Sequence, residues 1–426
     1  MRVGWQRSKL VDVTSKIGSG ATPRGGKKSY KEVGIPLIRS LNVHDGYFKK
    51  KDLAFLDDDQ AEKLSNVIVE NGDVLLNITG ASIARCCVAP TKCLPARVNQ
   101  HVAIIRPKAL LVDTQFLAYL LVSREHKDSL LNAGDKAGAT RQALTKAQLQ
   151  NYEIDFPSLP VQKRIVAILD KAFEGIAAAA ANAEKNLANA RELFESCLSN
   201  AFVCRGSRWS RTRLSELINI THGFAFKGSD FKVSQDDSKP IVLTPGNYTA
   251  DGTLYFSSKN TKRFFGQATP GYLFKIGDLT VVMTDLSSKM KILGKPAFIA
   301  RLNVLHNQRI GRVVFKSKNI APRLVYYFLR TRMASEKIKE TSTGTMVRHT
   351  APKRILGLEI NYPIKHEDQF DLVSFLDDFE RQVQSLEDIC QRKLAMLTEL
   401  KQSLLQKAFS GVLTAGDADL KEESAA

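Results

Sequence analysis

A chain whose second half repeats its first can fold only as two copies of one unit, and this 426-residue sequence has that form. Trp5-Gln6-Arg7-Ser8-Lys9-Leu10 is answered 204 residues on by Trp209-Ser210-Arg211-Thr212-Arg213-Leu214. Asn71-Gly72-Asp73-Val74-Leu75 is answered by Ile276-Gly277-Asp278-Leu279-Thr280, and Val98-Asn99-Gln100-His101 by His306-Asn307-Gln308-Arg309. Further on, Tyr152–Pro157 matches Leu358–Pro363, Ile168-Leu169-Asp170 matches Phe375-Leu376-Asp377, and Ala201-Phe202 matches Ala408-Phe409. The offsets drift between 204 and 208, as small loop insertions would make them. So long a period means two whole units, not the short repeats of a solenoid.

Each copy has two parts. The first is a stretch of short β-type runs bounded by Gly, Pro, Asn or Asp: Ile35–Arg39, Val74–Ile78 and Val102–Ile105, then Leu279–Met283 and Arg312–Phe315. One amphipathic helix follows, over Thr114–Ser123 and again over Pro322–Arg332, which makes each an α+β domain. The second part is a long helix. Apolar or small residues fall at 165, 169, 172, 176, 179, 183, 187, 190, 194, 197 and 201, a heptad seam with one stutter. The same seam recurs through Leu372, Leu376, Phe379, Val383, Leu386, Cys390, Leu394, Leu397, Lys401, Leu404 and Ala408, with Lys401 its one flaw and Leu400 beside it as the expected substitute. Two helices of roughly 40 residues, about 60 Å each at ~1.5 Å per residue, are expected to pair as an antiparallel coiled coil. Ala177–Ala181 is a good helix former and leaves room for close approach of another chain. The expected division is 1–158 and 205–364 for the domains, 159–204 and 365–415 for the helices, and 416–426 for a small acidic disordered tail.

Sixty-two basic against 44 acidic residues give a formal charge of +18, which speaks of a polyanionic partner, nucleic acid before membrane. No apolar leader opens the chain and no run is long enough to span a bilayer, so the expected setting is the cytoplasm. Six scattered cysteines are no disulfide scaffold.

Catalytic motifs are missing. Gly20–Ser29 resembles a phosphate loop, but Gly26 stands where the lysine belongs. There is no Asn-Pro-Pro-Tyr-like motif and no methyl-donor turn. Glu125-His126-Lys127, Glu399-Leu400-Lys401 and Asp419-Leu420-Lys421 are acidic-x-Lys triplets of the kind any charged chain contains. Cys86, Cys87 and Cys93 lie near His101, but the second copy has no matching cysteines and the zinc spacing is wrong.

Recognition remains. Basic side chains interleave with Gly, Ser, Thr and aromatics at Arg24, Lys27, Lys28, Tyr30 and Lys31, at Lys49–Lys51, at Arg205–Arg213, and at Lys289, Lys291 and Lys295, which suits phosphate contact. Asn99-Gln100-His101 and Asn307-Gln308-Arg309 stand at one place in both copies. Such amides and guanidinia bond base edges in two-point fashion, or else they cap a strand end. Thr140-Arg141-Gln142 and Thr345-Met346-Val347-Arg348 are matching loops and the next candidates. A nuclease with an unrecognised metal centre, or a coiled-coil nucleic-acid-binding scaffold, would also fit the charge and the helices.

The pattern resembles the DNA-specificity (S) subunit of type I restriction-modification enzymes. The resemblance covers essentially the whole chain. It is carried by Ile17–Pro23 with Ile35–Val43, by Gly72-Asp73-Val74-Leu75, and by Phe156–Ile165 leading into the long helix. The second copy departs at Thr221–Lys227, and its helix start, Pro363–Gln369, keeps only the proline and the glutamine. The resemblance implies a non-catalytic subunit whose two target-recognition domains each read half of a split, asymmetric duplex site. It implies two modification subunits docked on the helices, supplying S-adenosylmethionine-dependent adenine methylation, and a restriction subunit for cleavage; this chain itself would carry no cofactor and no metal. The expected DNA face is Ser19, Thr22, Arg24, Lys27, Lys28, Tyr30, Arg39, Asn42, Thr79, Ser82, Asn99, Gln100, His101, Thr140, Arg141 and Gln142 in the first domain. In the second it is His222, Phe224, Lys227, Thr284, Lys289, Asn307, Gln308, Arg309, Thr345 and Arg348. Ala179, Ala183, Leu187, Leu386, Leu394 and Leu397 are the expected partner contacts.

Overall fold

A computed structural model describes residues 4–135, 143–203, 206–266 and 270–414. The chain divides into two units: residues 1–183 with 392–426, and residues 184–391.

In the first unit, a four-stranded antiparallel sheet runs in the order Thr14–Ser19, Val102–Pro107, Val74–Asn77, Cys86–Val88. Its central strands are buried on both faces, and the two-residue alternation of a strand divides their side chains between two cores. Ala103, Ile105, Val74 and Leu76 join the core that also takes the helix Thr114–Val122, while Val102, Ile104 and Leu75 join the core of a second sheet. That second sheet has the order Ala54–Leu56, Ile35–Ile38, Ala96–Val98, Ile68–Val69, with its middle pair parallel.

The second unit repeats this plan. Ile218–His222, Ile310–Phe315, Leu279–Val282 and Pro296–Phe298 form the antiparallel sheet, and Ile241–Leu243 pairs in parallel with Val304–His306 in the other. The helix Pro322–Arg330 covers it as Thr114–Val122 covers the first. Two of the repeated sequence pairs turn out to be the two strands of a single ladder. Gln6–Lys9 pairs antiparallel with Glu153–Phe156, and Trp209–Arg213 with Glu359–Pro363.

The long helices are Leu159–Ala201 and His366–Phe409. In the first unit, Ile165 and Leu169 near the start of one share a core with Leu405, Ala408 and Phe409 at the end of the other. In the second, Leu198 and Ala201 at the end of the first helix share a core with Leu376 near the start of the second. The pairing is therefore antiparallel. Every seam position predicted in the first helix is buried or half-buried. The second seam holds except at Leu386, which is exposed. The flaw at Lys401 resolves differently from expectation: Leu400 is exposed, and Lys401 is half-buried with its ammonium 4.9 Å from the Phe173 ring centre. Burial pushes the Lys401 pKa down, against the opposing pull of Asp45. A long aliphatic stem lets lysine fill a seam position that leucine would otherwise take.

Each helix is tied to its domain by one buried glutamine. Gln162 accepts from the Asp113 N–H at 2.8 Å and donates to the Leu111 and Pro157 carbonyls at 3.0 and 2.8 Å. Gln369 repeats the set with the Ala321 N–H and the Asn319 and Pro363 carbonyls at 2.8, 2.7 and 2.9 Å. That is why the glutamine survives where the second helix start otherwise diverges.

Candidate nucleic-acid interface

In each unit the first strand of the antiparallel sheet ends where only glycine fits. A Cβ on Gly20 would lie 1.8 Å from the Val98 carbonyl oxygen, and one on Gly223 would lie 2.2 Å from that of His306. The Gly20 N–H donates to the Asn99 carbonyl at 3.2 Å, and the Phe224 N–H to the His306 carbonyl at 2.8 Å. The outgoing loop is thus pinned beside the Asn-Gln-His and Asn-Gln-Arg turns, so the two motifs form one edge.

At that edge in the first unit, Gln100 is exposed and accepts a hydrogen bond from the Thr22 hydroxyl. The His101 ring bonds through Nδ1 to Thr79 Oγ1 at 2.5 Å. Thr79, Ser82 and His101 line a cleft of about 560 Å³ with Ser40, Leu41 and Arg85. Arg85 was not anticipated. Its only sequence signal is a lone arginine just beyond the Thr79–Ser82 loop. Ser19, Arg24, Lys27 and Lys28 are exposed, the two lysines on the short turn Gly26–Ser29. Tyr30 stacks under the Arg39 guanidinium at 5.2 Å, and Arg39 also donates to the Asp52 carbonyl at 2.5 Å, so this arginine is partly committed within the fold.

In the second unit the same edge is aromatic. Phe224 is 42% exposed and lies 5.1 and 5.2 Å from the Phe226 and Tyr272 rings. His222, Lys227, Gln308 and Arg309 are exposed around it, and the Gln308 N–H donates to the Phe224 carbonyl at 3.0 Å. Lys289 and Thr345 are exposed, and Arg348 is half-buried. Behind the edge lies His306, whose ring meets the Ile310 carbonyl at 2.7 Å. Burial pushes its pKa down to about 4, so it is neutral at pH 7.

Four expected contacts point inward and need correcting. Asn42 is fully buried. Its Oδ1 accepts from the Arg39 N–H at 3.0 Å, and its amide donates to the Lys49 carbonyl at 2.9 Å. Asn99 and Asn307 are buried, each accepting the N–H two residues on, from His101 at 3.1 Å and Arg309 at 3.0 Å. Of the two roles open to these asparagines, capping is the one they fill; their neighbours Gln100, Gln308 and Arg309 face outward. Thr284 is buried and bonds His349 Nδ1 at 3.0 Å. Thr140, Arg141 and Gln142 lie outside the described residues, as does the tail 416–426.

On the helices, Ala183 is buried inside its unit, which removes it from any outer surface. Ala179, Leu187, Leu394 and Leu397 are half-buried along the seam, and Leu386 is exposed. Cys86, Cys87 and Cys93 are buried thiols, and burial pushes that of Cys87 up to about 12. Among the described residues no group of three His, Cys, Asp or Glu is placed to hold a metal ion, and no helix is long and apolar enough to cross a membrane.

Comparison with known proteins agrees with this architecture. A relative from Escherichia coli, the type I restriction enzyme EcoBI specificity subunit, is 24% identical over 229 residues, 54% of this chain and 44% of that subunit's length. The MjaVIII specificity subunit of Methanocaldococcus jannaschii is 21% identical over 393 residues, 86% of each chain. A solved chain from a study of assembly and conformational transition in the type I R-M system superimposes with a TM-score of 0.74 at 17% identity, covering 96% of this chain and 98% of that one. The family model for the type I restriction modification DNA specificity domain matches residues 2–186 and again 206–392. The chain belongs to that family and carries its domain twice.

Proposed function

We propose that this chain is the DNA-reading subunit of a type I restriction-modification complex and is not itself a catalyst. Each globular domain, 1–158 and 205–364, reads one half of a bipartite duplex site. The long helices, 159–204 and 365–415, follow one domain each and dock two modification subunits. Those subunits bring S-adenosylmethionine and the adenine methyl transfer; a restriction subunit brings cleavage. One observation carries the reading: the two units keep the same sheets, glycine take-off and buried glutamine, yet present different side chains at the same edge. Beside a glutamine that both keep, Gln100 and Gln308, the first unit sets Ala21 and His101 where the second sets Phe224 and Arg309. A duplicated scaffold with divergent edges suits an asymmetric split target, and the lysine-bearing loops suit phosphate contact.

The test is to map methylated adenines in random-sequence DNA exposed to the assembled complex. The expected result is one asymmetric sequence of two defined parts with a gap of fixed length. Methylation at a continuous or palindromic site, or methyl transfer by this chain alone, would overturn the reading.

A further inference from the structure

The second unit carries a hairpin whose chemistry is narrower than phosphate contact. Thr284 and Asp285 pair antiparallel with His349 and Arg348, and His349 pairs in turn with Thr343. The residues beyond this ladder are Leu286 on one side and Val347 and Met346 on the other. Leu286 is 56% exposed and Met346 is 79% exposed. Large apolar side chains exposed together on one hairpin mark an interaction surface.

The hairpin is braced by hydrogen bonds. Asp285, only 3% exposed, accepts the Ser287 N–H at 2.8 Å and the Ile292 N–H at 3.0 Å, closing the loop from both ends. The Ser342 hydroxyl meets the Met290 sulfur at 3.2 Å, linking the two loops. Gly344, with φ of 95°, makes the turn where a Cβ would lie 2.0 Å from the Val347 carbonyl oxygen. Lys289 and Lys291 are exposed on the same loop and Arg348 is half-buried on the ladder. Three cations therefore share the strands and loop of the apolar tip, which suits DNA and not an apolar protein surface. After Thr79, the counterpart of Thr284, the first unit has Gly80, Ala81 and Ser82.

We propose that this hairpin is the groove-entering element of the second unit, and that Leu286 and Met346 recognise the 5-methyl group of thymine. The inference rests on the reading of the chain as a duplex-reading subunit. The major groove admits a two-stranded ribbon, and thymine is the base that presents a methyl group there, met by apolar side chains. Lysines beside the tip hold phosphates on either side.

The test uses the full chain assembled with its modification subunits and a duplex selected from a randomised pool. Each thymine of the selected site is replaced singly by deoxyuridine, which removes the methyl group and nothing else. At least one replacement, confined to one half-site, is expected to weaken binding about fourfold, the effect of one methyl leaving an apolar contact. The double variant Leu286→Ala, Met346→Ala is expected to bind the thymine and uracil duplexes equally while keeping selectivity for the other half-site. A methyl effect that persists in the double variant, its absence at every thymine, or a half-site without thymine on either strand would overturn the inference. So would loss of subunit assembly with DNA binding intact, which would make the tip a protein contact. Failure to select any sequence-specific duplex would instead sink the broader reading.

Discussion

The two units show which parts of a recognition domain are fixed and which are free. Both hold a buried or half-buried aspartate against an arginine in the antiparallel sheet, Asp73 with Arg106 and Asp278 with Arg312. Both tether the long helix through glutamine, and both bond a tyrosine of the covering helix to an aspartate on it, Tyr119 to Asp170 and Tyr327 to Asp377. The edges differ: the first is small and polar, the second aromatic and apolar with a braced hairpin. Where a side chain holds sheet to helix it is repeated; where it faces solvent at the edge it is replaced, Gln100 and Gln308 excepted.

The sharpest way to break this comparison is to remove the two arginines. Asp73 is fully buried and Arg106 meets it at 2.7 Å, whereas Asp278 is a quarter exposed and 3.3 Å from Arg312. Arg106→Ala leaves an uncompensated buried carboxylate and should destabilise the first unit by about 3–5 kcal/mol. Arg312→Ala should cost the second about 1 kcal/mol or less. Hydrogen exchange in Val74–Asn77 and Leu279–Val282 reads each unit separately, and equal losses would refute the distinction.

The glutamines should behave alike. Gln162→Ala and Gln369→Ala each strand three backbone groups, for about 3 kcal/mol in either unit. Thermal unfolding that distinguishes the two variants would show that the tethers are not equivalent.

Acid should separate the units. His306 is buried with a pKa of about 4, below its ordinary 6.5. Between those values the unfolded chain binds a proton that the folded one refuses. Its contribution is complete above pH 6.5 and is lost as pH falls towards 4. Val98 holds the matching place in the first unit and cannot titrate. The second unit should therefore lose protection first between pH 6.5 and 4, and His306→Val should abolish that excess sensitivity.

Edge substitutions should be smaller and local. Gln100→Ala and Arg309→Ala are each expected to relax one base position, in different half-sites, by about tenfold. Lys27→Ala with Lys28→Ala should leave the preferred sequence unchanged. It should flatten the log-log salt slope by about 1.8, two contacts at ~0.9 each, as equilibrium binding across salt would show.

Much of the architecture was legible in the sequence because it rests on periodicity. The repeat pairs picked out the two segments that meet in the Gln6–Lys9 ladder without marking them as strands, and the heptad seam found the buried face of each long helix. What was illegible depended on direction. Asn99 and Gln100 are adjacent and chemically alike, yet one folds back to cap the turn after Val98 and the other faces solvent, a choice made by the turn's backbone. Lys401 read as a flaw because a heptad pattern scores its charge and not the contact that its ammonium makes with the Phe173 ring. Leu286 went unnoticed because an exposed leucine becomes informative only once the brace at Asp285 holds it in place.

The antiparallel pairing also sets an order of completion during synthesis. Leu405, Ala408 and Phe409 belong to the core of the first unit, where Phe409 meets Phe116 edge-on at 5.4 Å. The domain that leaves the ribosome first therefore waits, with an open apolar face, for residues made some three hundred positions later. The second unit draws only on residues 184–391 and can close before then. A chain interrupted after Gln391 would hold a finished second domain and an unfinished first one, a natural substrate for chaperone or protease. Domains normally mature in the order they are made; here the last helix reverses that order, so only a fully translated chain presents both readers.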